Sequence, residues 1–180
     1  MKNIILSMIF TVLICGTLKS QEKYGNTLNV GAGIGYYGYA PALTVNYEFD
    51  VFKNFTLAPF ASVMTYRDYR YWGDDRFNYP YRNYYYRETI IPIGVKGTYY
   101  FDELLKASDK WDFYAAASLG VAFRTTTWDD GYYGDRTVRT YSSPLYGNLH
   151  IGTECHLSQK VGLYLDLSTG MSTLGLGFHF

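Results

Sequence analysis

A few ionisable side chains stand out against small neighbours: Glu48, Lys96, Arg124, His150, Glu154 and Asp166, with the Tyr164 phenol among them. A three-residue turn at 158–160 would pair Leu157 with Val161. That register sets Glu154 opposite Tyr164 and puts Asp166 one diagonal step from both His150 and Glu154. Carboxylates and an imidazole this close must share protons or find cations, because an isolated buried charge is costly. Lys96 and Arg124 are the expected cations. The expected product is an internal salt-bridge and hydrogen-bond network; the alternatives are a proton or ion path and an acid/base site.

The second chemistry is recognition. Tyr69, Tyr71, Trp72, Tyr81, Arg82 and Tyr85 crowd the stretch 67–87, and Trp128, Tyr132 and Tyr133 echo them in 127–142. Tyr and Trp give flat amphipathic contact area at low entropic cost, and Arg grips carboxylate or phosphate in a fork. Such a surface suits a glycan, the phosphates of lipopolysaccharide, or a protein. The same residues would also pack on one another, as hairpins extended by Arg–Tyr stacking. Asp74-Asp75 and Asp129-Asp130 lack the ordered spacing of a calcium loop. No metal site or cofactor motif is assigned.

These groups must be positioned by strands. From Thr27 onward apolar residues recur every second position, as in Leu43, Val45, Tyr47, Phe49 and in Leu163, Leu165, Leu167. Eight such segments suggest a closed antiparallel up-and-down barrel, which leaves no exposed sheet edge. The connections alternate, with long outer loops near 67–87 and 127–142 and short links on the opposite rim. The residues between the apolar positions are mostly Gly, Ser, Thr and Asn. A soluble lipocalin-like barrel would show many Lys and Glu there. Small residues with a few compensating charges instead fit a narrow lumen, so the apolar face is expected to meet lipid. Aromatics near strand ends would form two belts: Tyr36, Tyr37, Tyr66, Tyr86 and Phe123 at the outer rim, and Tyr47, Phe52, Tyr99, Trp111 and Phe178 among those at the inner one.

Whole-chain arithmetic agrees. The 180 residues set a prior of one domain, and Tyr 21, Phe 11 and Trp 3 argue against disorder. Lys+Arg 16 against Asp+Glu 16 gives no basic surplus for nucleic acid. Met1-Lys2-Asn3, the apolar run Ile4 to Ile14 and the small residues before Gln21 read as a secretory signal over 1–20, leaving a mature domain at 21–180. Cleavage would remove Lys2 and Lys19 and no acid, leaving 14 basic against 16 acidic residues. Lipidation at Cys15 is disfavoured by the bulky Ile14 before it. Cys155 is then the one cysteine, and no internal disulfide can form.

The ending Leu174, Leu176, Phe178 and terminal Phe180 resembles the C-terminal signal read by the outer-membrane assembly machinery. With the leader and eight strands, the chain resembles the small OmpA/OmpX-like outer-membrane β-barrel family of Gram-negative bacteria, and its Tyr-rich, Gln-starting style is similar to members from the Bacteroidetes. The resemblance implies a transmembrane barrel in the outer membrane after Sec-type export. It also implies a side-chain-filled interior, with lipopolysaccharide, membrane lipid and the assembly machinery as partners. It carries over no catalytic residue, so the expected role is structural or in surface recognition. A lipid A-modifying acyl hydrolase or transferase is the alternative, and a narrow ion pore the third reading. An enzyme of that kind would need a nucleophile and base about 2.6–3.2 Å apart near the outer leaflet. His150 is instead mid-strand, and His156 and His179 lie toward the inner rim.

Overall fold

A computed structural model describes residues 26–36, 39–77, 79–108, 110–136 and 144–180. The expected leader at 1–20 lies outside them, as do Tyr37 and residues 137–142 of the second outer segment. The period-two alternation gives β1 (Thr27–Gly35), β2 (Ala40–Phe52), β3 (Phe55–Asp74), β4 (Tyr79–Tyr100), β5 (Trp111–Trp128), β6 (Leu145–His156), β7 (Val161–Ser168) and β8 (Met171–His179). Each strand pairs antiparallel with the next, and β8 returns to β1 through pairs such as Val30 with Leu176. The fold is therefore all-β, an eight-stranded up-and-down barrel with no free edge. Asp102–Leu105 makes a single helical turn between β4 and β5. No helix among the described residues is long and apolar enough to cross a membrane, which says nothing about strands.

The two faces differ as the alternation requires. Leu43, Val45, Val95, Leu119, Val121, Leu149, Ile151, Leu165 and Leu174 are all exposed on the outside. Leaving a Leu, Ile or Val side chain in water forgoes about 1.5–3 kcal/mol. Soluble monomers rarely show apolar patches beyond a few hundred Å², whereas this band includes residues from β2, β4, β5, β6, β7 and β8. Below it Tyr47, Phe52, Tyr99, Trp111 and Phe178 stand outward as a belt. At the other end the belt is thinner than expected. Tyr36 and Phe123 are exposed there, but Tyr66 and Tyr86 are each only 9% exposed and belong to the interior cluster with Met64 and Ile90. Strand parity decides this, since Tyr66 is two residues from inward Met64 and Tyr86 four from inward Ile90.

The stretch 67–87 is not a loop. β3 and β4 run on through it as a paired hairpin, from Arg67 opposite Arg87 to Trp72 opposite Arg82, and a 3-10 turn at Asp75–Phe77 reverses the chain. Alternate Tyr residues with Arg and Asp between them satisfy the same two-faced pattern as the barrel wall, so the strands continue beyond the apolar band.

Inside, small residues make space for large polar ones. Tyr164 lies over Gly31 and Glu154 over Gly162; a Cβ at either glycine would overlap the polar end of that side chain.

Candidate functional site

Four polar tiers fill the barrel, from the rim opposite the hairpin upward. At the rim His156 Nε2 meets Asp112 Oδ2 at 2.7 Å, and His179 Nε2 meets Glu154 Oε1 at 2.9 Å. Above it Glu48, 4% exposed, accepts hydrogen bonds from Asn29 at 3.2 Å, Tyr100 at 2.8 Å and the Thr56 hydroxyl. The central tier is built on Asp166. Its Oδ2 takes Lys96 Nζ and the Tyr114 hydroxyl, both at 3.0 Å, and its Oδ1 takes His150 Nδ1 at 2.7 Å. Uppermost, Glu88 receives Arg124 Nη1 at 3.3 Å and the Tyr66 hydroxyl.

The structure thus brings Lys96, His150 and Asp166 together. Arg124 goes to Glu88 rather than to this cluster, and Glu154 turns to His179 rather than to Asp166. Tyr164 is buried opposite Glu154 in the β6–β7 register. Lys96 also sits 4.9 Å from the Tyr114 ring centroid. An ammonium and a carboxylate this enclosed hold each other in place, because neither alone recovers its lost hydration.

One feature of the central tier has a catalytic form. Ser118 Oγ lies 2.9 Å from His150 Nε2, whose other ring nitrogen holds Asp166. That is the atom order of a Ser–His–Asp relay. The cavity beside it, lined by Lys96, Ser118, His150, Tyr164 and Asp166 among others, measures about 30 Å³. That is room for one water molecule, not for an acyl chain. Ser118 is itself only 6% exposed.

Beyond the band, the hairpin divides its aromatics by parity. Inward, Trp128 stacks on Tyr132 with centroids 4.2 Å apart, while Trp72 and Tyr84 each approach Tyr132 at 5.4 Å. Tyr132 is 1% exposed, so it is an anchor rather than the contact residue its composition suggested. It fastens the segment after β5 onto the hairpin, with its hydroxyl donating to Asp135 O at 2.7 Å. Trp72 and Trp128 are half-buried in the same cluster. Burial, then the nearby Asp68 carboxylate, pushes the Tyr86 phenol above its ordinary value.

Outward, Tyr69, Tyr71, Tyr81 and Tyr85 are exposed; Tyr133 is exposed on the segment after β5, and Arg82 is exposed although it shares the parity of inward Tyr84. Tyr69 faces Tyr85 at 5.9 Å and Tyr71 faces Tyr81 at 6.0 Å. Arg67 lies 4.7 Å over Tyr85 and pairs with Asp129 at 3.3 Å, while Arg82 lies 4.7 Å over Tyr84. Arg67 and Arg87 are directly opposite in the ladder. Like charges so placed repel, and the Asp129 carboxylate on Arg67 offsets part of that repulsion.

No known family profile matches the chain, and no curated protein matches it. Solved structures similar to it include a de novo designed transmembrane β-barrel, 11% identical with TM-score 0.47 over 88% of this chain and 98% of that one. Ail, the attachment invasion locus protein of Yersinia pestis, crystallised with the heparin analogue sucrose octasulfate, is 6% identical with TM-score 0.48 over 87% of this chain and 99% of its own. Ail in a phospholipid bilayer nanodisc is 10% identical with TM-score 0.43, over 87% and 99% of the two chains. At such identities the likeness is one of barrel architecture.

Several site residues escaped the sequence reading. Glu88 has the parity of Lys96 and could have been found by running β4 back through the supposed loop. Asp112 shares its face with Ser118 and Arg124. The meeting of His156 with His179 has no local signal, since β7 lies between their strands.

Proposed function

We propose that this chain is a non-enzymatic integral protein of the bacterial outer membrane whose β3–β4 hairpin recognises anionic surface glycolipid, most directly the phosphates of lipopolysaccharide. The observation that supports the reading is the exposed Tyr–Arg ladder, carried by strands continuous with the barrel wall. A rigid hairpin loses little entropy on binding, and tyrosines offer the flat faces that sugars stack on. Arg87 supplies charge for phosphate, with Arg67 opposite it shared between the ligand and Asp129. Export by the leader at 1–20 and delivery by the assembly machinery, through the outward Leu174, Leu176, Phe178 and Phe180, belong to the same reading.

Replacing Tyr69, Tyr71 and Tyr85 together by serine should weaken binding to purified lipopolysaccharide at least about tenfold, the equivalent of 1.4 kcal/mol. The barrel itself should fold as before. Arg67→Gln with Arg87→Gln should reduce the salt dependence of binding. Unchanged affinity in the serine variant would remove the proposal. Binding that survives dephosphorylation of the glycolipid, or a preference for a protein ligand, would point to a different partner for the ladder.

The Ser118–His150–Asp166 relay is the observation that favours the lipid-modifying reading. The 30 Å³ cavity weighs against it. A fluorophosphonate probe should leave Ser118 unlabelled in the folded protein; stoichiometric labelling abolished by His150→Gln would reinstate an enzyme. The pore reading meets the same obstacle, because Lys96, His150 and Tyr114 converge across the lumen on one carboxylate.

A further inference from the structure

The rim cluster has a composition and layout that neither lumen packing nor surface recognition requires. One ligand atom from each of Glu154, His156 and His179 lies within 4.8 Å of the other two. The imidazole rings stand 5.0 Å apart, centroid to centroid. Each ring has one nitrogen held by a different neighbour. His156 Nε2 is held by Asp112 at 2.7 Å, and His179 Nδ1 by Thr27 Oγ1 at 2.9 Å. Metal-binding imidazoles are arranged this way, with an outer carboxylate or hydroxyl fixing the ring while the other nitrogen binds the ion. His179 Nε2 already points at Glu154 Oε1. Glu154 occupies the gap left by Gly162 and Gly177, where side chains would displace its carboxylate.

The geometry points to a divalent transition-metal site, of the zinc class, formed by Glu154, His156 and His179, with Asp112 and Thr27 orienting the two rings. Two imidazoles and a carboxylate favour zinc or its neighbours over calcium and magnesium, which prefer oxygen alone. Ligand atoms around tetrahedral zinc stand about 3.3 Å apart, given bonds of about 2.0–2.1 Å. Side-chain rotation closes the remaining gap. The side chains are 7–26% exposed, which gives the ion a path from the rim and leaves a fourth position for water. His156 ends β6 and His179 ends β8, while Thr27 begins β1. The ion would therefore tie β6 to β8 across β7, beside the seam at which β8 meets β1.

The untagged full chain, refolded in detergent micelles and stripped with EDTA, tests this by calorimetric titration with Zn²⁺. One saturable equivalent is expected, with a rise in the unfolding temperature of the folded barrel. His156→Gln and His179→Gln should each weaken binding by about tenfold or more, and Asp112→Asn by a similar factor through ring orientation. His150→Gln, in the central tier, should leave Zn²⁺ binding unchanged. Absence of saturable binding, or wild-type affinity in either rim histidine variant, overturns the site. Should those variants fail to fold, modification of wild type by diethyl pyrocarbonate decides. Zn²⁺ must protect His156 and His179 from the reagent, and reaction at both unaffected by Zn²⁺ overturns the proposal equally.

Discussion

Lys96→Met should destabilise the barrel by about 3–5 kcal/mol, the usual cost of removing one partner from a buried ion pair. Lys96 and Asp166 are 8% and 5% exposed and 3.0 Å apart. With the ammonium gone, Asp166 keeps His150 and Tyr114 but loses the Lys96 cation that contacts it. The carboxylate must then stay charged in a poor solvent or take up a proton, and either costs stability. The double replacement Lys96→Met with Asp166→Leu should recover much of the loss, because an apolar pair of similar volume needs no hydration. Unfolding by denaturant in lipid vesicles measures both. A single variant as stable as wild type would mean that the central tier is wet and that the lumen is not plugged by this pair.

Leu165→Arg tests the other face. Leu165 is 40% exposed at the middle of β7, with Leu174 opposite it on β8 and Leu163 and Leu167 on the same side. An arginine at the midplane of a lipid-facing barrel wall costs about 2–4 kcal/mol, falling toward zero at the interfaces. Tyr71→Arg, on the same outer surface but far up the hairpin, should cost almost nothing. The contrast between the two variants carries the information, since both place the same charge on an exposed site. Equal stabilities in vesicles would mean that the band around Leu165 meets water.

The sequence was most legible where one physical rule acted alone. Period-two alternation told wall from lumen, and it placed Glu48, Lys96, Glu154 and Asp166 on one face because each strand buries only one side. It misled where a second rule competed. The run 67–87 is so rich in Tyr, Arg and Asp that composition suggested a loop, yet its parity continues that of β3 as far as Trp72 and that of β4 from Arg82 on, with the register shifting only near the turn. Following parity instead of composition would have turned Tyr66 and Tyr86 inward and drawn Glu88 into the lumen. Tyr132 was hidden for another reason. It lies beyond the end of β5, where no period applies, and its burial comes from tertiary packing against Trp128, Trp72 and Tyr84. The rim histidines were seen singly, but their meeting depends on barrel closure, a property of the whole chain rather than of any window.

Both the plugged lumen and the raised hairpin presuppose an outer wall that faces hydrocarbon. A nitroxide attached at Val121→Cys, in a Cys155→Ser background and in lipid bilayers, reports this through its collisions with oxygen and with a water-soluble nickel complex. Val121 is 43% exposed at the band, and a label at Tyr71→Cys on the hairpin provides the aqueous comparison. We predict frequent collisions with oxygen and few with nickel at 121, and the reverse at 71. Nickel access at 121 equal to that at 71 would contradict a lipid-facing wall and leave the barrel a soluble one.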